Sequence, residues 1–433
     1  INVKKKPGYE SISHKEYLER LPGVQLRSLG GPGSITTISL NGGPTSQTKV
    51  QVNGFDLTNI PLVAYDDRCF VEKTEVFSPA GLGDNIGSFY FIPKLVQLTG
   101  LNLEIVIQLV YSGFVFLAFL SAAIAICIFF KSLLGKIIGT MALAALSFII
   151  AVIGDYYVLA AALPMASIPW LINILKKPPN NIKYLYLFFF LLGILTSVGH
   201  LFRSHSGTDV VIFIIIGFVF FAKLYSFKQK TIIFLLFALS MASIFTWFNS
   251  IVDKRVEYLT SIESNYELSG ERIKWHNIYY SLGYLQNSFS QVDGYDQHEP
   301  NDTYSVERAL QINPDVQLWS SEYEDILRNE TFRFISDHKL FFIKSILAKI
   351  SVMFVYIALF MNIGIVMIYY YKTTIDFHLL FLSGIGFNMV FGVITAPDYR
   401  YLTGLFLFSV LYSIYIIDSV IFNGFVKNNN INK

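Results

Sequence analysis

Long apolar runs constrain the fold of this chain more than any other feature. A helix of about 20 apolar residues spans the hydrocarbon core of a bilayer, and lipid offers no partner to an unpaired backbone. The runs predict nine membrane-spanning helices, with the pair around Asp155 open to interpretation as a re-entrant hairpin. They cover residues 102–130, 137–154, 156–175, 183–199, 209–224, 231–249, 341–370, 377–395 and 402–423. We therefore predict a mainly α, polytopic membrane protein.

Composition supports this fold class. Of the 433 residues, 53% are hydrophobic and 15% are charged, whereas soluble domains carry about 25% charged residues. The net charge of +2 is too small to indicate a nucleic-acid partner. The apolar runs make membrane lipid the predicted partner. No disulfide is predicted between Cys69, in a polar stretch, and Cys127, in an apolar run.

The lysine residues predict the orientation of the helices, because cytoplasmic loops of membrane proteins are enriched in Lys and Arg. The lysines that share one side are Lys131, Lys136, Lys176, Lys177, Lys183, Lys228, Lys230, Lys372, Lys427 and Lys433. We predict a multi-pass protein of a bacterial cytoplasmic membrane, with its C-terminus in the cytoplasm and its N-terminal segment outside. The Asp155 turn, the 200–209 loop and the long 250–340 segment then lie on the outer side.

This topology divides the chain into six predicted parts. They are an N-terminal segment (1–59), an outer loop (60–101), six membrane helices (102–249), an outer helical loop domain (250–340), three membrane helices (341–424) and a cytoplasmic tail (425–433). In the loop domain, "SEYEDILRNETFRFISDH" places charged and apolar residues on opposite faces of a helix. The chain starts with Ile and shows no signal-peptide pattern, so we expect a fragment or a processed form.

The N-terminal segment is rich in turn-forming residues. "TTISLNGG" and "TKVQVNGFDLTN" alternate apolar and polar residues around Asn-Gly pairs, which predicts short strands and tight turns. The order of "LPGV", "ISLNG" and "VNGFDL" resembles the plug domain of TonB-dependent outer-membrane receptors over residues 7–59. The resemblance implies a short α+β segment. No alternation typical of barrel strands follows it.

Acidic residues before the first predicted span are candidates for catalysis or binding. "YDDRCF" sets Asp66 beside Asp67, and adjacent carboxylates can bind a divalent cation or act as a general base. Asp84 follows in a Gly-rich segment before an aromatic stretch, as a candidate binding residue. Simpler interpretations stay open, since an acidic turn can pair with Arg68 and aromatic residues can line a membrane interface.

Histidine and arginine residues form further candidate binding clusters on the predicted outer side. "GHLFRSHSGTD" brings together His200, Arg203 and His205; arginine suits phosphate, and histidine can shuttle protons or bind a metal. Trp275 and His276 precede several tyrosines, a composition that suits a sugar or isoprenoid. Alternatively, the first cluster is a loop with mutually paired charges, and the second is an amphipathic cap on the membrane.

The loop before the last predicted span carries one more candidate. "APDYRYL" places Asp398 and Arg400 at the start of that span. Arg400 can hold a phosphate, or its long side chain can anchor the end of the helix at the membrane surface.

These outward-facing groups resemble the polytopic glycosyltransferases of the GT-C type, over residues 60–433. The resemblance implies that one carboxylate of the adjacent pair is the catalytic base. It implies that Arg203 or Arg400 holds the phosphate of a lipid-phosphate-linked sugar, and that His276 lies near the acceptor. Enzymes of this type have a membrane span before the Asp pair, whereas here "IPLVA" precedes it. Either that span is missing, or two pieces join near Asn59.

Three functions are open at this point. The first is a glycosyltransferase-like enzyme of the cell envelope. The second is a plug-containing component of TonB-dependent nutrient uptake, which the long apolar helices disfavour because such helices are retained in the inner membrane. The third is a transporter or flippase, which ranks below the enzyme because charges inside the predicted spans are few and no internal repeat is evident.

Overall fold

The computed structural model of the chain divides into two compact units, residues 1–78 and residues 79–433. The residues whose structure is described are 24–28, 36–40, 51–52, 55–56, 86–179, 181–262, 274–285, 302–316, 320–370 and 375–431.

The first unit contains two antiparallel hairpins among its described residues. Strand β1 (Val24–Ser28) pairs with β2 (Thr36–Leu40), and β3 (Gln51–Val52) pairs with β4 (Phe55–Asp56). The register places Val24 opposite Leu40 in the first hairpin. Within "TTISLNGG" and "TKVQVNGFDLTN", residues 36–40, 51–52 and 55–56 are strands. The plug resemblance and the α part of the predicted α+β segment stay predictions, since no helix occurs among the described residues of this unit.

The second unit is built from α-helices. In chain order they are α1 (Ile86–Thr99), α2 (Leu103–Phe129), α3 (Leu133–Ala151), α4 (Leu159–Lys176), α5 (Ile182–Phe202), α6 (Thr208–Ile216), α7 (Phe227–Ile262), α8 (Trp275–Ser281), α9 (Asp302–Ile312), α10 (Ser321–Asp337), α11 (Lys339–Tyr370), α12 (Ile375–Ile394) and α13 (Thr403–Ile431). A 3₁₀ turn, Tyr156–Val158, precedes α4.

Among the described residues, eight helices are long and apolar enough to span a membrane: α2, α3, α4 with its 3₁₀ turn, α5, α7, α11, α12 and α13. The prediction of a polytopic, mainly α-helical membrane protein is therefore confirmed. The segments on either side of Asp155 are two separate helices of this length, Leu133–Ala151 and Tyr156–Lys176, and not halves of one re-entrant hairpin.

The predicted span 209–224 forms a shorter helix. It consists of α6 and a π-helical turn, Gly217–Phe221. Gly207 lies against Leu163 near the start of α4, and Gly217 lies against Leu175 near its end. This segment therefore passes along the length of α4, because its two ends contact opposite ends of that helix. It connects α5 to α7 across the bundle as a ninth span would.

The loops that are rich in lysine lie at one end of the bundle, which we call the lysine end. Asp418 of α13 accepts hydrogen bonds from the main-chain N–H groups of Lys131 (3.3 Å) and Ser132 (3.1 Å). Lys176 Nζ lies 5.7 Å from the ring centre of Tyr415, also in α13. The loop after α2 and the end of α4 thus meet, as the lysine distribution predicted. That this end faces the cytoplasm stays a prediction.

Glycine allows close packing between α5 and α7. A Cβ atom added to Gly193 would meet the hydroxyl of Ser240 and lie 2.6 Å from the main-chain oxygen of Phe237. Small residues at such contacts let two helix backbones approach each other within a membrane. The α5–α7 pair therefore depends on the absence of a side chain at residue 193.

A small helical domain follows α7, as predicted for the 250–340 segment. Helices α8, α9 and α10 enclose a core that consists of Tyr279, Leu282, Ala309, Val316, Tyr323, Leu327 and Phe334. The predicted amphipathic helix is α10, and the side chain of Ser320 caps it by accepting from Tyr323 N–H (3.2 Å). The Ser281 hydroxyl donates to Ile394 O at the end of α12 (2.8 Å), which holds this domain against the bundle.

Candidate anion-binding site at one end of the bundle

A cluster of charged and aromatic residues lies at the end of the bundle opposite the lysine end. Three connections meet there: the turn before α4, the segment between α5 and α6, and the segment between α12 and α13. We call this cluster the arginine site. It consists of Asp155, Tyr156, Tyr157, Arg203, His205, Asp398, Arg400 and Tyr401.

Arg203 is the buried centre of the site, with 4% of its surface exposed. It follows the last residue of α5, and its extended backbone directs the chain away from the helix. Its guanidinium carbon lies 4.0 Å from the ring centre of Tyr157, 5.0 Å from that of Tyr156 and 5.7 Å from that of Tyr401. These aromatic faces stabilise the buried cation.

The hydrogen bonds of Arg203 leave part of its guanidinium available. Its Nε donates to Nε2 of His205 (2.8 Å). Among the described residues, no acceptor bonds to its two terminal nitrogens and no carboxylate lies within ion-pair distance. A buried cation in this state favours an anionic ligand, since arginine presents a planar pair of donors that matches phosphate and carboxylate.

His205 orients Arg203 in its neutral form. Because Nε2 accepts the hydrogen bond, this nitrogen carries no proton. The ring stacks on Phe391 of α12, with ring centres 4.4 Å apart. Burial and then the charge of Arg203 lower the pKa of His205 well below its usual value. The site therefore holds a neutral imidazole at physiological pH.

Arg400 differs from Arg203 because it already has a counter-ion. Its Nε and Nη2 bond to the two carboxylate oxygens of Asp398, at 3.1 Å and 3.0 Å. This bidentate pair raises the pKa of Arg400 above its usual value. The Arg400 guanidinium carbon lies 5.8 Å from the ring centre of Tyr157, so both arginines approach the same tyrosine.

The tyrosines form an aromatic wall beside the two arginines. Tyr157 donates from its hydroxyl to that of Tyr401 (3.2 Å), and the ring centres lie 4.9 Å apart. The Thr403 hydroxyl donates to Tyr157 O (3.0 Å), which ties the turn before α4 to the start of α13. Burial raises the pKa of Tyr401, so this phenol stays neutral. Aromatic faces next to a few polar groups suit a small organic ligand such as a sugar.

Asp155 is the second carboxylate of the site. Its Oδ1 accepts from Tyr157 N–H (2.8 Å) and caps the 3₁₀ turn. Burial raises the pKa of Asp155 to about 6, although this hydrogen bond and the charges of Arg203 and Arg400 act in the opposite direction. Asp155 therefore titrates close to physiological pH.

Asp155 is expected to make stability depend on pH. Its pKa is 3.8 in an unfolded chain and about 6 in the folded one, so the folded state binds more protons between these values. The contribution of Asp155 to stability is therefore greatest below about pH 4 and is lost as the pH rises through about 6, by about 3 kcal/mol in total. Asp155→Asn keeps the capping oxygen and should remove this fall.

Thermal unfolding in detergent across this pH range, compared between wild type and Asp155→Asn, measures the effect. Asp337→Asn is the matched control, because Asp337 is an exposed carboxylate of α10 outside the site. If the unfolding temperatures of wild type and Asp155→Asn changed equally with pH, the raised pKa of Asp155 would be refuted.

The structure brings together three of the residues selected from sequence: Arg203, His205 and Arg400. His200 lies nearby on α5, but its ring packs against Phe245 of α7, with ring centres 5.3 Å apart. Its position within the helix directs it toward α7, whereas the extended residue Arg203 turns into the site.

Trp275 and His276 lie in the helical loop domain. Main-chain N–H groups of both bond to the Glu324 carboxylate, which caps α8. His276 Nδ1 bonds to the Tyr323 hydroxyl (2.6 Å), and 4% of the His276 surface is exposed. These contacts show that His276 packs within the helical loop domain. A position of His276 near the sugar acceptor stays a prediction. Trp275 packs on Phe332, with ring centres 5.3 Å apart.

Three further predicted residues, Asp66, Asp67 and Asp84, lie outside the described residues. The candidate divalent-cation site at the Asp pair therefore stays a prediction, as does the catalytic role of that pair. Cys69 also lies outside, whereas Cys127 is a free cysteine.

Sequence reasoning missed Lys349 of α11. It is buried, and its Nζ donates to Thr395 O (2.6 Å) and Val393 O (3.1 Å) at the end of α12. This lysine caps the carbonyl end of α12, immediately before the segment that carries Arg400. A charged residue within an apolar run was the available signal, because such residues in membrane helices are costly and commonly functional.

Comparison with protein-family models, curated proteins and solved structures gives no match. The resemblances to plug domains and to GT-C glycosyltransferases therefore stay predictions.

Proposed function

We propose that this integral membrane protein is a glycosyltransferase-like enzyme of the cell envelope, which binds a lipid-phosphate-linked sugar at the arginine site. The observation that carries the proposal is Arg203, a buried cation whose terminal nitrogens bond to no acceptor among the described residues. A phosphate group supplies both the charge and the paired acceptors that this guanidinium lacks.

The position of the site supports a lipid as the carrier of that phosphate. The arginine site lies at the ends of membrane-spanning helices α4, α5, α12 and α13. A lipid whose chains lie along the bundle would present its head group at that level. The same end faces outward in the predicted orientation, so the donor would come from the outer leaflet of the cytoplasmic membrane.

In this proposal, Arg203 and Arg400 act on the leaving group. Sugar transfer breaks the bond between the anomeric carbon and the phosphate oxygen, and it forms a bond from that carbon to an acceptor hydroxyl. The lipid phosphate leaves with the bonding electrons, and fixed cations stabilise the charge that develops on it. The acceptor proton passes to a general base, which by resemblance is Asp66 or Asp67. The tyrosine wall would pack against the sugar.

Sugar transfer by the purified full chain in lipid vesicles tests the proposal. Probes are polyprenyl-phosphate-linked radiolabelled hexoses and pentoses, with envelope extract as acceptor. We expect label to move from lipid to acceptor, and we expect Asp66→Asn or Asp67→Asn to abolish transfer while membrane insertion persists. Asp337→Asn, an exposed carboxylate outside the site, should transfer normally.

Two results would contradict the proposal. The absence of transfer from every probe would remove the enzyme assignment, and full activity of both aspartate variants would remove the base assignment.

A lipid flippase is the second candidate. Two ionisable residues buried among the helices favour it: Asp209, whose carboxylate faces Asn388, and Lys349. In the same vesicles, movement of a fluorescent polyprenyl phosphate between leaflets without sugar transfer would favour the flippase over the enzyme.

A further inference from the structure

Asp209 is a buried carboxylate for which the described residues supply no counter-ion. It lies in the first turn of α6 with 3% of its surface exposed, and no described lysine, arginine or histidine lies within ion-pair distance. Its Oδ1 accepts from Val210 N–H (2.8 Å), and its Oδ2 faces Nδ2 of Asn388 (3.4 Å). These hydrogen bonds bring no positive charge. Because an unpaired buried charge is costly, the carboxylate favours a bound cation or a proton.

Asn388 of α12 presents its amide oxygen to the same region. Its Nδ2 donates to Gly384 O (2.9 Å) and faces Asp209, whereas no described residue donates to its Oδ1. This oxygen lies against Gly404 at the start of α13, where a Cβ atom would meet it. Asn388 is 3% exposed. Its Oδ1 is therefore a buried acceptor that lacks a donor, which is unfavourable unless a ligand fills that role.

A main-chain oxygen of α4 lies next to this amide oxygen. The oxygen of Ala160 lies 2.9 Å from the position that a Cβ atom of Gly404 would take, the same position that Asn388 Oδ1 approaches. In a regular helix the N–H of residue 164 would donate to it, but Pro164 has no N–H. Oxygen atoms from α4, α6 and α12 thus gather at one place: a carbonyl, a carboxylate and an amide.

Aromatic side chains enclose this group of oxygens along the bundle axis. Toward the lysine end, Phe213 lies one turn beyond Asp209, and its ring centre is 6.2 Å from those of Phe381 and Phe408. Toward the arginine site, Phe391 lies about one turn beyond Asn388 and stacks on a histidine ring. An ion at this place loses its water shell, so protein oxygens have to replace it.

The single carboxylate indicates the charge of the ion that fits. A monovalent cation would be neutralised by Asp209, whereas a divalent cation would leave a buried positive charge. Mg²⁺ also gives up its water reluctantly and requires octahedral coordination. Carboxylate and carbonyl oxygens suit hard cations, and sodium sites in membrane proteins use main-chain oxygens that helix interruptions release.

We infer that Asp209, Asn388 and the main-chain oxygen of Ala160 form a binding site for a dehydrated monovalent cation such as Na⁺ within the helix bundle. This site is separate from the arginine site, and the inference does not depend on the proposed function.

Binding of radioactive sodium to the full chain in nanodiscs tests the inference, with choline replacing sodium so that the ionic strength stays constant. We expect saturable binding of one ion per chain, which unlabelled sodium displaces and equal concentrations of Mg²⁺ or Ca²⁺ do not. Sodium should also raise the unfolding temperature relative to choline, because a ligand of the folded state stabilises it.

Two substitutions locate the ion. Asp209→Asn removes the charge and keeps the shape, and Asn388→Leu removes the amide oxygen at similar volume. Each should weaken sodium binding about tenfold or more, and either variant suffices if the other fails to fold. Asp337→Asn and Asn249→Leu are matched controls at exposed positions of α10 and α7, and they should bind sodium as wild type does.

Three results would overturn the inference. Without saturable sodium binding by wild type, Asp209 would be a protonated carboxyl group that pairs with Asn388. Sodium binding that the folded variants retain would place the ion elsewhere. Displacement by Mg²⁺ or Ca²⁺ as effective as that by sodium would exclude a monovalent site. None of these results bears on sugar transfer, which is measured separately.

Discussion

Arg203→Gln is expected to lower the affinity for polyprenyl phosphate about 100-fold, equivalent to about 2.7 kcal/mol, without a loss of stability. Arg203 is the arginine of the site that has no ion-paired carboxylate among the described residues, and a charged hydrogen-bond partner of a buried anion is costly to remove. Titration of the full chain with polyprenyl phosphate, and with polyprenol as the uncharged reference, measures the loss.

Stability distinguishes a binding role for Arg203 from a structural one. A buried charge without a carboxylate partner does not favour folding, so the glutamine variant should unfold at the same temperature as wild type or a higher one. Arg328→Gln is the control, because Arg328 is an exposed arginine of α10 that pairs with Asp325 on the surface. A variant that keeps its affinity, or that loses affinity because it unfolds, would refute the binding role.

Gly193→Leu is expected to destabilise the bundle by about 3 kcal/mol, because overpacking of a close helix contact forces the backbones apart. The Phe237 main-chain oxygen lies 2.6 Å from the position that a Cβ atom would take, and a backbone atom in α7 cannot rotate away. Unfolding in a series of sodium dodecyl sulfate concentrations measures the change.

Gly113→Leu offers a matched control, since a Cβ atom at Gly113 of α2 would meet no atom within 4 Å. The same side chain there should leave the unfolding transition in place or raise it slightly, because leucine favours the helix more than glycine does. Equal destabilisation by both substitutions would mean that close packing of α5 against α7 at Gly193 is not the cause of the effect.

Residue type and run length were enough to predict most of the helical architecture. Uncharged stretches of about 20 residues have no stable alternative to a helix in lipid, and the lysines predicted which ends lie together. The 209–224 segment was predicted less well. Its helix ends with the π-helical turn Gly217–Phe221, and hydropathy does not show where a hydrogen-bond pattern changes.

The candidate site was predictable in part. Arg203 and His205 are neighbours in the chain, and the alternation of the spans placed Arg400 at the same end. Tyr157 was not predicted, although its ring centre lies 4.0 Å from the guanidinium carbon of Arg203 and 5.8 Å from that of Arg400. Asp155 served only as a boundary between runs, because hydropathy does not show which carboxylate approaches which cation.

The sequence by itself determined that this chain builds a helical membrane bundle with its lysine-rich loops at one end and the loops of Arg203 and Arg400 at the other, because the cost of exposing backbone and charge to lipid depends on local composition. Only the tertiary structure decided that Asp398 neutralises Arg400 while Arg203 keeps its charge. That difference depends on distances of a few ångströms between segments far apart in the chain, where Coulomb energy and desolvation change steeply.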